Sequence, residues 1–255
     1  MVAIITGQIF TGTHNEDHFG PGAGDDVYMM TADNFVTDTI NGGFGSDTVD
    51  YSQQQDGASV NITLTDGGVG GTGGTVEAEI PVLIYNPATH QYIQFEHDQL
   101  AANLLNIENA TGTNNNDVLT GNSGNNVLTG GGGVDILTGG AGNDTFKFNH
   151  ASDSPAVPNS SLNFSNIDQI TDFTPGQDHI DLHGLANETA GHPLHFGSLS
   201  DSPGGVVAAF VSDGTAAHTG FLVEADLNGD HAPDFEVFVH STVDHTHLQA
   251  SDFIL

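Results

Sequence analysis

The sequence predicts an all-β fold: a parallel solenoid of short strands, capped by a C-terminal region of ordinary alternating strands resembling a β-sandwich. Three observations predict it. The stretch from Gly112 to Lys147 is a tandem of nine-residue units with no residue between them. From Phe148 onward that period gives way to apolar–polar alternation, broken by Gly, Pro, Asn and Asp turns. Acids outnumber Lys and Arg 33 to 1, for a formal net charge of −32. A chain this acidic repels itself when compact, so it needs cations to fold.

The central units read GTNNNDVLT, GNSGNNVLT, GGGGVDILT and GGAGNDTFK. Each fits G-G-x-G-x-D-x-U-x, where U is large and apolar. Leu119, Leu128, Leu137 and Phe146 fill the U position, and Asp117, Asn126, Asp135 and Asp144 the acid position. Glycine tolerates backbone angles closed to other residues, so such a loop can turn tightly and aim its carbonyl oxygens inward. Aspartate adds a carboxylate. Calcium is a hard cation that takes six to eight oxygen ligands of these two kinds. In the strand half, U faces in and its two neighbours face out. Two units make one coil, so loops two units apart stack, pairing Asp117 with Asp135 on one edge and Asn126 with Asp144 on the other. A glycine-rich disordered linker would have no reason to place an apolar residue at every ninth position beside an acid.

This nonapeptide resembles that of the RTX, or hemolysin-type, calcium-binding proteins. The resemblance implies a parallel β-roll loaded with several calcium ions.

Earlier in the chain, Gly12–Gly20 (GTHNEDHFG) and Pro21–Met29 (PGAGDDVYM) are two further units, with Asp17 and Asp26 in the acid position. Gly42–Asp50 (GGFGSDTVD) matches fully, with Asp47 and Val49. A short or interrupted roll of this kind is marginal alone and is expected to stack on something. The candidate metal ligands are therefore Asp17, Asp26, Asp47, Asp117, Asn126, Asp135 and Asp144, with loop oxygens of Gly42, Gly112, Asn114, Gly121, Ser123, Gly130, Gly132, Gly139 and Ala141.

Residues 51–111 break the period. Ser59–Leu64 alternates and reads as a strand. Gly67–Gly74 reads as a glycine-rich loop. Ile80–Ile84 and Gln91–Phe95 flank an Asn-Pro turn and read as a hairpin. Gln99–Asn106 reads as a short helix. Beyond the tract, strands are expected at Ile167–Ile170, His179–Leu182, Val206–Val211, Gly220–Glu224 and Phe235–His240. A stacked roll exposes its last coil, so a cap is expected there. The chain thus divides into a short roll with an inserted hairpin (1–111), the main roll (112–147) and a C-terminal cap (148–255).

A second resemblance rests on Asp168-x-Ile170-x-Asp172-Phe173-x-x-Gly176-x-Asp178-x-Ile180-Asp181-Leu182, on Ala225-Asp226-x-Asn228-Gly229-Asp230 with Asp234-Phe235, and on the ending Ser251-Asp252-Phe253-Ile254-Leu255. These are similar to the region that follows the roll in serralysin-type secreted metalloproteases. The similarity spans roughly Gly112 to Leu255. It implies an uncleaved C-terminal signal read by a bacterial type I secretion apparatus. Those proteases carry HExxH in a separate domain; this sequence has no HExxH.

Other chemistry is sparse. Asp226, Asn228, Asp230 and Asp234 occupy positions 1, 3, 5 and 9 of an EF-hand-like loop, although position 6 is His231 and position 12 is Val237. This is a further candidate calcium loop, or a polar hairpin turn. His245-x-His247 has the spacing to hold a transition metal, although most of the 14 histidines read as surface polar residues. There is no G-x-S-x-G elbow, and no catalytic residue is assigned.

Composition narrows the partners. With one Lys or Arg there is nothing to neutralise phosphates, which excludes nucleic acid. An anionic membrane surface is disfavoured for the same reason. There is no cysteine, so no disulfide. No apolar run of about 18 residues exists, so no membrane span is expected. The N-terminal residues lack a basic stretch and a long apolar segment and do not read as a signal peptide. Weak calcium sites fill outside the cell, at about 10⁻⁴–10⁻³ M. The expected function is therefore an extracellular calcium-binding protein that folds on binding calcium after type I export. The alternatives are the C-terminal carrier of a larger secreted hydrolase, and an adhesive or matrix protein contacting an extracellular partner through the 80–95 hairpin.

Overall fold

The computed structural model describes residues 9–11, 18–19, 22–30, 38–54, 58–65, 74–86, 91–156, 166–197, 199, 203–212, 219–241 and 248–255. Two sheets face each other along the length of the molecule. The first has eight strands, in the order Ile9–Thr11, Val27–Met29, Thr48–Asp50, Asn109–Thr111, Val127–Thr129, Thr145–Lys147, His179–Asp181 and Phe253–Ile254. Every neighbouring pair in it is parallel. The second has twelve. Its middle strands, Ser59–Thr63, Val118–Thr120, Ile136–Thr138, Asp168–Phe173 and Phe235–Ser241, are also parallel to one another. Short paired segments at Gly22–Ala23 and Gly43–Phe44 form a third, small sheet.

The chain crosses from one sheet to the other after each unit, so successive units alternate between sheets and residues eighteen apart align. Val118 sits beside Ile136, and Leu128 beside Phe146. The U positions form two continuous buried columns. One runs Tyr28, Val49, Ala110, Leu128, Phe146, Ile180, Phe253. The other runs Ile62, Leu119, Leu137, Ile170, Val239, Phe221. All of these are buried, and they meet in one hydrophobic cluster. Each turn of the solenoid thus buries its apolar residues only against its neighbours, which is why stacking is obligatory.

The five strands expected beyond the tract are present with bounds that differ by one to three residues: Asp168–Phe173, His179–Asp181, Gly205–Ser212, Thr219–Asp226 and Phe235–Ser241. Neither sheet is interrupted at Gly112 or at Lys147. The early units stack on the main tract through the coil that ends at Thr111, with Val49 beside Ala110 and Ala110 beside Leu128. The cap is built by continuation of the two facing sheets. Its second sheet ends in antiparallel strands, Phe235–Ser241 with Thr219–Asp226 and the latter with Gly205–Ser212.

Two expectations are corrected. Gln99–Asn106 is not a helix. Gln91–Leu105 is one long strand, antiparallel to Gly74–Asn86 with Asn86 beside Gln91. Its last four residues also pair with Asp38–Asn41. Sheet hydrogen bonds on both sides outweigh the weak helical propensity of Leu-Ala-Ala-Asn-Leu-Leu. Nor do residues 51–111 lack a unit throughout: Asn103–Thr111 (NLLNIENAT) is a coil of the roll, with Glu108 and Ala110 in the acid and U positions. The expected hairpin turn at Asn86–Pro87, the 67–73 loop and His245-x-His247 lie wholly or partly outside the described residues.

The packing makes one comparison testable. Leu128→Ala removes a fully buried link of the first column and should cost about 2–5 kcal/mol. Its neighbour Val127, 38% exposed on the outer face, should cost within about 0.5 kcal/mol when changed to Ala. Urea unfolding with calcium present checks this; equal midpoints for the two variants would contradict the column.

Candidate metal centre

The acid of each unit immediately precedes its strand, so the stacked acids form a row along each edge of the molecule. Neighbouring rungs are joined by one kind of hydrogen bond: the backbone N–H of one acid donates to the carboxylate of the next. On the edge that leads into the first sheet, Asp26 N–H donates to Asp47 Oδ1 at 2.8 Å, and Asp47 N–H to Glu108 Oε2 at 2.9 Å. Further along, Asn126 donates to Asp144 Oδ1 at 2.9 Å, and Asp144 to Asp178 Oδ1 at 2.9 Å. On the opposite edge Val60 N–H donates to Asp117 (2.7 Å), Asp117 to Asp135 (2.8 Å) and Asp135 to Asp168 (2.8 Å). The Asp168 N–H is met by the Ser154 hydroxyl at 3.1 Å.

At the Glu108–Asn126 step the pattern changes. The Asn126 side-chain amide donates to the Glu108 carbonyl, and Asn109 Oδ1 accepts the Val127 N–H at 2.8 Å. A neutral amide at this rung carries its own donors.

The other carboxylate oxygen points back into its own loop. Asp117 Oδ2 accepts Thr113 N–H at 2.5 Å, and Asp178 Oδ2 accepts Thr174 N–H at 2.7 Å. Asp47 Oδ2, Asp135 Oδ2 and Asp168 Oδ2 are buried with no hydrogen-bond partner. The first residue of each repeat lies beneath its own acid. A Cβ at Gly42, Gly112, Gly121, Gly130 or Gly139 would run into Asp47, Asp117, Asn126, Asp135 or Asp144 respectively. At Gly112 and Gly121 it would also meet a carbonyl of the stacked coil, that of Gly130 or Gly139. Glycine is required there because carboxylate and carbonyl oxygens share the space a side chain would fill.

Of the expected ligands, Asp26, Asp47, Asp117, Asn126, Asp135 and Asp144 are thus brought into the two rows, all buried. Asn114, Ser123, Gly132 and Ala141 sit at the outer rim of their loops. Asp17 lies outside the described residues. The Asp226–Asp234 loop stands apart and closes on itself. Asp226 accepts the N–H groups of Asn228, Gly229 and His231, and Asp234 those of Leu227 and Asn228. Among the described residues, no three His, Asp or Glu side chains gather as an ion cluster. Any ion on the rows would be held by carboxylates together with backbone carbonyls, the mixed oxygen set that suits calcium.

The sequence pattern alone did not single out Glu108, Asp168 and Asp178 as members of the rows, nor Asp172 as their neighbour. Glu108 was findable, since it lies nine residues before Asp117. Asp172 accepts the N–H groups of Gly139 and Gly140, each at 2.8 Å, and so holds the last repeat loop from a neighbouring strand.

Burying acids beside one another has an electrostatic consequence. Burial raises Asp117 and Asp144 to about 6, against the opposing pull of their N–H donors. Burial also pushes up Asp135, with the Asp168 charge next in weight, and pushes up Asp168, with Asp153 and Asp117 adding to it. Asp47, Glu108 and Asp178 move in the same direction for the same first cause.

The sign follows from linkage. An acid whose pKa is higher in the folded state contributes stability that is full below its unfolded value, about 3.9, and is lost as pH rises through its folded value. Metal-free protein should therefore be most structured near pH ~4 and lose β-structure as pH passes ~6 and above. Circular dichroism in chelator across that range checks the direction; a β-signal that grew with pH would refute it.

The match to known families agrees with this geometry. Residues 97–255 match the family described as peptidase M10 serralysin C terminal. Residues 37–57 match the RTX calcium-binding nonapeptide repeat, so calcium is the cofactor. A similar solved structure is that of the AlgE6R3 subunit from the Azotobacter vinelandii mannuronan C5-epimerase. It is 26% identical, with 58% of this chain and 77% of that chain covered and a TM-score of 0.36. No curated protein matches the chain. With well over half its length matched, the chain belongs to the serralysin C-terminal family of peptidase M10, and it carries RTX calcium-binding repeats.

Proposed function

We propose that this protein works outside the cell, is exported by a type I secretion apparatus, and completes its folding by binding calcium there. The observation that carries the reading is the pair of buried acid rows in a chain with 33 acids and one Lys or Arg. A buried carboxylate without a counter-charge is strongly unfavourable. The chain has almost no internal supply of positive charge, so that charge comes from solution. Asp26, Asp47, Asp117, Asp135 and Asp144 would hold the ions, with carbonyl oxygens from the glycine-rich loops. Calcium supplies positive charge there; the chain supplies the loop shape and the oxygen donors. A ligand that binds only the folded state stabilises it by mass action. Where calcium is scarce the rows repel and the chain stays open, which suits passage through a transporter.

A second reading is favoured by the family match, because that family is the C-terminal part of a peptidase. On this reading the chain acts as the secretion and folding module of a larger secreted hydrolase.

Two experiments test the proposal. In excess chelator at neutral pH, circular dichroism should show mainly disorder. Calcium at about 1 mM should restore β-structure, and magnesium, which prefers rigid octahedral sites, should not. An identical folded spectrum with and without chelator rejects the coupling. In a cell carrying a type I exporter, deletion of Asp252–Leu255 should abolish appearance of the protein in the medium. Export of that variant at the wild-type level rejects the C-terminal signal.

A further inference from the structure

Two strands of the second sheet run on past their neighbours. Gly74–Asn86 pairs with Ser59–Thr63 only as far as Glu79, and Gln91–Leu105 pairs with Asp38–Asn41 only from Ala102 onward. Among the described residues, Ile80–Asn86 and Gln91–His97 face each other with no further strand on either side. They form a two-stranded ribbon that continues roughly 20 Å beyond the sheet, at about 3.3 Å per residue. Its register places Ile80, Val82, Ile84, Ile93 and Phe95 on one face, with Ile84 opposite Ile93 and Val82 opposite Phe95. A ribbon of two strands is marginal in water, and further strands sharing an apolar face are what stabilise such a sheet.

The two free edges are not equivalent. Proline has no N–H, and within a sheet it is confined to an edge with its nitrogen turned outward. Pro81 therefore leaves the outer edge of Gly74–Asn86 short of a donor. Gln91–His97 contains no proline, so its outer edge keeps every N–H and C=O. Residues 80–95 also contain no Asp, Glu, Lys or Arg, in a chain of formal charge −32. A second strand of the same sequence thus meets no like charge along Gln91–Phe95, although two copies of this chain repel one another as wholes.

We propose that Gln91–His97 is the seam of a homodimer, in which the outer edge of this strand pairs antiparallel with the same edge of a second copy about a two-fold axis at Gln94. That register sets Ile93 of each copy opposite Phe95 of the other, two aromatic–β-branched cross-strand pairs. Glu96 falls opposite Tyr92, and His97 opposite Gln91, so no acid faces an acid. The two-fold axis stands perpendicular to the ribbon, so the apolar faces of both copies lie on the same side of a four-stranded sheet. An identical copy fits this edge because a two-fold closes it upon itself, and Pro81 on the outer strands stops addition at two copies. The acid rows take no part in the seam, so association and calcium binding are separate properties of the chain.

The test uses the full chain with calcium present. Sedimentation equilibrium should show a monomer–dimer equilibrium. Gln94→Pro removes an edge donor from each copy and should weaken the association about tenfold or more. The chain has no cysteine, so an introduced thiol reports the register. Gln94→Cys lies opposite itself across the two-fold and should cross-link to twice the chain mass under mild oxidation. Leu83→Cys, beside Gln94 on the other strand, lies about 14 Å from its own copy at about 4.8 Å per strand and should not cross-link. A wild-type chain that stays monomeric overturns the proposal, whether that edge is then bare or taken by a different protein. A dimer that Q94P leaves unchanged, or equal cross-linking of L83C, puts the contact elsewhere and overturns it too. Species larger than a dimer overturn the two-fold closure. If Q94P does not fold, the two cysteine variants decide alone. None of these substitutions touches an acid row, so failure of the seam leaves the calcium reading standing.

Discussion

The hydrogen bond from the backbone N–H of one acid to the carboxylate of the acid in the next coil is the interaction on which the rest of this molecule depends. It sets the coils in register, because only the eighteen-residue alignment brings Asp117 over Asp135 and Asn126 over Asp144. It also draws the carboxylates inside, where desolvation raises their pKa values. One contact thus produces both the regular stack and its electrostatic problem. The buried apolar columns favour stacking, and the acid rows make stacking conditional on protons or cations. On the proposed function, calcium dependence is in this sense built into the coil-to-coil contact.

Much of this was legible in the sequence because the repeat couples two signals. An apolar residue at every ninth position marks a buried column, and the acid and glycines before it mark a cation-ready turn. Leu119, Leu128, Leu137 and Phe146 are all fully buried. The degenerate coils were harder. Asn103–Thr111 lacks glycine at both of its turn positions, and Asn106 adopts the left-handed backbone in place of glycine, at φ 51°. Asparagine can do this, but it does not announce it. Asp168 and Asp178 were visible only as parts of a family resemblance. Their place in the rows depends on an excursion after Phe148 that no local period encodes. The helical reading of Gln99–Asn106 failed for a common reason: its apolar spacing suits either period, and the strands on each side decide.

The end of the chain shows how far the roll extends. Phe253 closes the first apolar column beside Ile180, and Asp252 accepts the Gly176 N–H at 2.9 Å. The last residues of the sequence are therefore part of the stack as well as the expected address for export. The two roles are compatible in time, since a transporter would read an unfolded terminus that packs only after release.

The acid rows also have a direction. Along the two rows themselves the earlier coil donates its N–H and the later coil accepts on its carboxylate. Loss of coils from the N-terminal side exposes bare carboxylate oxygens, which water or a metal ion can satisfy. Loss from the C-terminal side leaves row amide hydrogens, which water can satisfy but a cation cannot. The two ends of the solenoid are therefore not interchangeable as points of growth or loss. A cation can stand in for a missing coil at the start of an acid row but not at its end, where the Ser154 hydroxyl meets the Asp168 N–H.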